Sequence, residues 1–196
     1  MIYIGSGNTW LRLLIEYSTG VYTGSVYNDS VLAEILPAEG LCHHFVSAIK
    51  VHPHTHGYRY GDSPMAKGIA SSNDACLNGG ITSINKIILL VRNPFDAIWS
   101  EHQRRYTNSH SGKISNQDFD ESSWYTESTR LAKQYAEMWV HFADIVMLLD
   151  DANILVVKHE NLRSDRTVLD KILSFLGYDE INARKRDCVF QVHICF

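Results

Sequence analysis

Apolar positions along this chain come in short blocks, and their spacing changes from block to block. Ile2-Tyr3-Ile4 runs into Gly5-Ser-Gly-Asn-Thr-Trp10 and reads as a strand followed by a tight turn. Leu11, Leu14, Ile15 and Tyr17 then share one face of a helix, which Asn8 or Thr9 caps and Gly20 stops. Residues 21–44 show no period. Phe45–Val51 predicts a buried strand, and 53–80, with its prolines and glycines, predicts a long loop. Lys86–Val91 is an unbroken apolar run, the pattern of a strand covered on both faces. Pro94 opens a helix to about Tyr106, and a polar linker follows over about 107–123. Leu131, Tyr135, Met138, Trp139, Phe142, Ile145, Val146 and Leu149, at steps of three and four, predict a long helix. Asn153–Val157 is a further buried strand. Ser164 then caps a helix with Val168, Leu169, Ile172, Leu173 and Leu176 on one face, ended by Gly177.

Strands alternating with helices predict an α/β fold, a mainly parallel sheet flanked by helices. The 196 residues are expected to form one domain, 1–196. A formal charge of −4 gives no general attraction to nucleic acid, so an anionic ligand must be held by local groups. No apolar run reaches the length of a membrane span. The first strand is short against the usual five or six residues, and the expectation is a chain that continues upstream. Cys42, Cys76, Cys188 and Cys195 form no C-x-x-C pair, so they predict neither a zinc knuckle nor a redox motif. Disulfides in a secretory compartment and free thiols in the cytosol both fit, and the Asn28-Asp29-Ser30 sequon leans toward the former.

In a parallel α/β sheet, ligands sit beyond the carboxyl ends of the strands. The glycine turn at Gly5–Trp10 would place free backbone N–H groups and a helix N-terminus there, a phosphate cradle. A plain packing turn is the alternative. The pattern matches neither the triphosphate loop nor the dinucleotide fingerprint. Other strand ends add donors: Lys50 and His52 after one strand, Arg92 after the next, and Ser100 about two turns into the following helix. His52-Pro-His54-Thr-His56 lacks a completing carboxylate or Cys, and no metal site is expected.

This ordered set resembles the PAPS-dependent sulfotransferases, in which the 5′-phosphosulfate loop reads K-S-G-T-T-W and a strand ends in K-T-H. Here the loop is Gly5-Ser6-Gly7-Asn8-Thr9-Trp10 and the strand end Lys50-Val51-His52. Arg92 with Ser100 matches the family's 3′-phosphate motif, and Glu160-Asn161-Leu162 before "ILSFLGY" its closing strand and helix. "GNTWLRLLIEYSTGVYTGS" and "RNPFDAI" are more narrowly similar to the WSC-domain-containing sulfotransferases.

The resemblance implies a P-loop-like sulfotransferase fold, incomplete at both ends, that moves a sulfuryl group from PAPS to a hydroxyl of a glycan or similar acceptor. PAP is the product, and no metal or nucleic acid takes part. By the same resemblance, His52 is the general base, Lys50 neutralises leaving-group charge, and Gly5, Ser6, Gly7, Asn8 and Thr9 hold the 5′-phosphate. Trp10 packs on adenine, and Arg92 and Ser100 hold the 3′-phosphate. A full-length form is expected at the lumenal side of the Golgi membrane, anchored by a segment outside this chain.

Two features depart from the family. Gly5 stands where the loop lysine is expected, and Arg12 either replaces that charge or is a surface residue. The basic run Arg184-Lys185-Arg186 lacks the glycine that follows it in the family's closing segment and reads as a solvated charge run. The alternatives are therefore a catalytically impaired relative that binds a nucleotide or partner, and a small-molecule kinase of related fold. The missing triphosphate-loop lysine disfavours the kinase.

Overall fold

The computed structural model describes residues 7–52, 85–110, 112–147 and 153–179, without the side chains of 138–147. The expected first strand, Gly5, Ser6, the loop at 53–80 and the run Arg184–Arg186 lie outside the described residues. In chain order the elements are α1 (Asn8–Thr19), β1 (Gly24–Ser25), α2 (Ser30–Ala33), β2 (Ile49–Lys50), β3 (Lys86–Val91), α3 (Pro94–Thr107), α4 (Glu121–Met147), β4 (Asn153–Lys158), α5 (His159–Ser164) and α6 (Arg166–Leu176).

β3 and β4 pair in parallel, with Lys86 opposite Asn153 and Val91 opposite Lys158. The apolar run of β3 is largely covered on both sides, but in β4 only Val157 is buried and Val156 stays 57% exposed, so the expected buried strand at Asn153–Val157 is only partly buried. On one face Leu11, Leu14 and Ile15 of α1 pack with Leu90, Val157, Leu162 and the α6 stripe of Leu169, Ile172 and Leu173. On the other, Ala97 and Ile98 of α3 and Leu131 and Tyr135 of α4 enclose Leu89. Helices on both faces of a parallel pair are the expected α/β arrangement. Among the described residues the strands form two parallel pairs, β1–β2 and β3–β4, and not one sheet.

Three local expectations are corrected. Neither Asn8 nor Thr9 caps α1: Gly7 is the N-cap in the left-handed region, and Asn8 already belongs to the helix. Phe45–Val51 is a strand only at Ile49–Lys50. Upstream of it the chain turns, with Val46 N–H donating to the His43 carbonyl at 3.3 Å while Phe45 stays exposed. Before α6 the cap is Asp165, whose Oδ1 accepts from Thr167 N–H at 2.9 Å, because Ser164 is already used as the last residue of α5. The capping reaction is the expected one, moved by one residue.

Segment 21–44 is held by a buried polar network. Arg12 on α1 is 3% exposed, donates through Nε to Thr23 Oγ1 at 2.8 Å and through Nη2 to the Thr23 carbonyl at 3.0 Å, and pairs through Nη1 with Glu39. Glu16 Oε1 accepts from both Thr23 N–H, at 2.8 Å, and Thr23 Oγ1, at 2.6 Å. The Glu39 side chain is wholly buried, so each charge depends on the other. Glu39→Ala is expected to destabilise the fold by about 3–5 kcal/mol, because it strands a buried guanidinium. Replacing both partners with Met and Leu should recover most of that loss. Urea unfolding of the single and double variants checks this; equal stability of Glu39→Ala and the parent would show that the pair carries no such load.

Candidate functional site

The carboxyl ends of β3 and β4 and the start of α1 meet at one edge. The register that sets Val91 opposite Lys158 puts Arg92 next to His159 and Asn93 next to Glu160. Glu160 Oε1 accepts from Asn93 N–H at 2.7 Å, tying the two strand ends together. Burial alone would raise the Glu160 pKa, but this bond, with the nearby Arg92 charge, holds it below the ordinary value. Glu160 is thus a structural acceptor.

Gly7 lies against this edge. Its φ of 90° is costly for other residues, and a Cβ there would meet His159 Cδ2 at 2.4 Å, so both backbone and space require glycine. Leu11 N–H bonds the Gly7 carbonyl at 3.0 Å, and the N–H groups of Asn8, Thr9 and Trp10 lie ahead of it in the first turn, without intrahelical acceptors. The Asn8 side chain is 7% exposed, and neither its Oδ1 nor its Nδ2 has a partner. A buried amide without a partner costs about 1–3 kcal/mol, which a ligand would offset. Trp10 packs edge-on against His159, with ring centroids 5.6 Å apart. Burial, and then the Arg92 guanidinium, lower the His159 pKa and favour the neutral ring.

A cavity of about 510 Å³ opens at this edge. Gly7, Asn8, Thr9, Trp10, Lys50, His52 and Ser100 all line it, together with Tyr27, Asp29, Arg104 and His110. Three separate elements, α1, the end of β2 and α3, therefore converge on one space. Arg92 stands at the end of β3 beside His159 and is not among the lining residues, so it does not share the cavity with Ser100. Burial pulls the Lys50 pKa below its ordinary value.

Arg12, the candidate replacement for the loop lysine, does not reach the cavity. Its guanidinium is taken up by Thr23 and Glu39, so it is neither a phosphate ligand nor a surface residue. Sequence reading passed over Tyr27, Asp29, Arg104 and His110. Asp29 caps α2 through Val31 and Leu32 N–H, at 3.1 and 3.2 Å, and also meets His110 Nε2 at 3.1 Å. Burial would raise its pKa, but those two N–H groups and His110 together lower it. Arg104, one turn beyond Ser100, is gripped by the buried Glu101 through Nε and Nη2, both at 2.7 Å. That bidentate bond raises its pKa further. A Ser-to-Arg step of four on α3 was the one signal available for Arg104. Among the described residues no group of three or more His, Cys, Asp or Glu is placed to hold a metal ion; His54 and His56 lie outside them.

The sulfotransferase domain family matches residues 74–193, more than half of the chain. The matched span includes Arg92, Ser100 and His159 and begins after α1 and β2. The WSCD family member CG9164 of Drosophila melanogaster is 36% identical over 102 residues, which cover 52% of this chain and 25% of that protein. WSCD family member GA21586 of Drosophila pseudoobscura pseudoobscura is also 36% identical over 102 residues, with the same coverage. WSCD family member AAEL009094 of Aedes aegypti is 37% identical over 102 residues, again 52% of this chain and 25% of its own. The match thus spans about a quarter of the length of these curated relatives. No solved structure matches the chain. On the span from residue 74 to residue 193, this chain belongs to the sulfotransferase domain family, and its similarity within the curated proteins is to WSCD family members.

Proposed function

We propose that this domain transfers a sulfuryl group from PAPS to a hydroxyl of a carbohydrate or similar acceptor, and that its two parallel strand pairs belong to one P-loop-like sheet. The observation that carries the reading is convergence. The start of α1 with its unpartnered Asn8 amide, Lys50, His52 and Ser100 line one cavity at the carboxyl edge of the strands. The volume, about 510 Å³, is that of a small-molecule site.

PAPS supplies an activated sulfur, whose bond to the 5′-phosphate oxygen breaks as the acceptor oxygen attacks. The N–H groups of Asn8, Thr9 and Trp10 and the positive end of α1 hold that phosphate. Asn8 turns its amide donor to it. Gly7, lacking a Cβ, lets the His159 ring pack directly against this turn. His52 takes the acceptor proton, and Lys50 meets the charge that gathers on the departing phosphate oxygen. By the family resemblance Arg92 and Ser100 are both assigned to the 3′-phosphate, Arg92 from the end of β3 and Ser100 from the cavity wall, and the structure does not bring the two into one cavity. Trp10 flanks the adenine.

The Cys42 disulfide supports an oxidising compartment, in keeping with a lumenal Golgi placement for the full-length protein. No helix among the described residues is long and apolar enough to cross a membrane, so a membrane link would run through another segment.

A second reading has one observation in its favour. Arg12 is spent on Glu39, so it adds no charge to a loop that carries Gly5 in the lysine position. A nucleotide- or partner-binding module with impaired transfer would look the same. Thermal-shift titration with PAP, ADP and magnesium-ATP, followed by a radiolabelled transfer assay, separates the readings. Selective stabilisation by PAP with transfer supports the first reading, and stabilisation without transfer supports the second. Preference for magnesium-ATP would point to a kinase and overturn both.

His52→Ala is expected to lower transfer by about a hundredfold to ten-thousandfold while PAP affinity stays near the parent value, because the base meets the acceptor and not the nucleotide. Wild-type turnover by this variant would remove His52 from the role. Arg92→Ala should weaken PAP by about ten- to a hundredfold, as loss of a charge-assisted bond does. Its effect on a nucleotide lacking the 3′-phosphate should be small. Calorimetry on both nucleotides decides it, and equal weakening would show that Arg92 does not read that phosphate.

A further inference from the structure

Tyr27 lies in the segment 21–44, which shows no hydrophobic period, just after β1. The structure nevertheless places it against both groups assigned to the chemistry. β1 and β2 pair in parallel, with Gly24 opposite Ile49 and Ser25 opposite Lys50. The ladder runs through Gly24 N–H to the Ala48 carbonyl at 2.7 Å and Val26 N–H to the Lys50 carbonyl at 3.2 Å. One more step of this register would give the polar groups of His52 to the main chain around Val26 and Asn28.

A side chain takes that step. His52 N–H donates to the Tyr27 phenol oxygen at 3.0 Å, and the phenol donates in turn to the His52 carbonyl at 3.4 Å. The Tyr27 ring lies 5.4 Å from the imidazole, tilted by 38°. Its face carries the Lys50 ammonium at 5.5 Å from the centroid, within cation–π range. The residue is itself anchored, since Tyr27 N–H donates to Ser25 Oγ at 3.0 Å. It also lines the same cavity as Lys50 and His52.

We propose that Tyr27 is the positioning residue of the transfer site: its hydroxyl replaces a strand partner for the His52 backbone, and its ring sets the directions of the imidazole and the ammonium. The role rests on the reading of His52 and Lys50 given above. The consequence is geometric. Where β2 stops, its last residues would otherwise lose their ladder and with it a defined heading. The phenol restores the backbone bonds from a side chain that itself lines the cavity with His52. A shift of about 1 Å in a reacting group can cost about a hundredfold in rate. One side chain that fixes base and cation together also fixes the distance between them.

Two variants separate the hydroxyl from the ring. Tyr27→Phe keeps the ring contacts and loses both bonds to His52; Tyr27→Leu loses all of them. For Tyr27→Leu the expected result is a fall in kcat of about a hundredfold, with KM for PAPS and PAP affinity near the parent values. Tyr27→Phe should fall between Tyr27→Leu and the parent. A residue with only a bulk structural role would instead lower Tm and raise KM alongside kcat. Proton NMR of the imidazoles, with the His52 signal identified by its loss in His52→Gln, gives a readout that needs no activity. Removing the aromatic ring should move the His52 ring-proton resonances, and Tyr27→Phe should leave them close to the parent while speeding exchange of the His52 amide. Unmoved His52 resonances in Tyr27→Leu, or unchanged kcat in both variants of an active protein, would overturn the proposal. If the parent transfers nothing to any acceptor, the functional reading fails by itself, and the NMR arm still decides whether Tyr27 sets His52.

Discussion

The site depends on a buried guanidinium. Its proposed phosphate-binding half belongs to α1, which the β3–β4 core grips through Leu11, Leu14 and Ile15. The proposed catalytic half belongs to β2, whose only strand partner among the described residues is β1. A two-residue parallel pair is far too small to hold itself in place. Arg12 joins the halves, because it sits on α1 and binds Thr23, the residue before β1, as well as Glu39 between β1 and β2. Glu16 closes the same network from the next turn of α1. The chain thus uses a costly buried charge where it has little apolar area to spend. That is a use of ionic groups for geometry more than for net stability.

The same economy explains why Arg12 does not line the cavity. A residue one turn into α1 can face the ligand edge or the β1–β2 unit, but not both. Desolvating a guanidinium is offset only when carboxylate and carbonyl acceptors surround it, and Glu39 and Thr23 supply them. Sequence alone left open whether Arg12 was a ligand or a surface group. The partners that settle it lie 11 and 27 positions away, and no local pattern announces them.

What was legible follows the same division. The core elements could be read because each is its own signal: the run at Lys86–Val91, the stripe from Val168 to Leu176, and the glycines that end α1 and α6. The candidate ligands at or just beyond strand ends, Lys50, His52 and Arg92, could be read for a related reason, since a strand end is a place as well as a boundary. His159 follows β4 by the same rule and was open to the same inference. Tyr27, Asp29 and His110 were not, because they reach the cavity from segments whose shape is set by hydrogen bonds to distant residues. The reach of the Phe45–Val51 strand was overread for that reason too. Its apolar content is real, but Ser47 donates to the Tyr22 carbonyl and the chain turns before Ile49.

Lys50 shows how the parts bear on one another. Burial lowers its pKa, because the ammonium has exchanged water for a cavity wall, and only the more distant Glu39 and Asp29 oppose that cost, while Arg12 and Arg104 add to it. The Tyr27 ring face returns part of the lost solvation without neutralising the charge. A lysine in this state favours any anion that enters, and it does so more strongly than a solvated one would, since the surrounding medium screens it less. Arg104 is different. Its guanidinium is fixed by Glu101 through two bonds, but Glu101 Oε1 also accepts from Arg105 Nε at 2.6 Å, so one carboxylate is shared by two cations. Lys50 stands in the cavity wall against the Tyr27 ring, whose hydroxyl also bonds the His52 main chain. Under the proposed reading, this ammonium is the group that meets negative charge developing on the leaving oxygen.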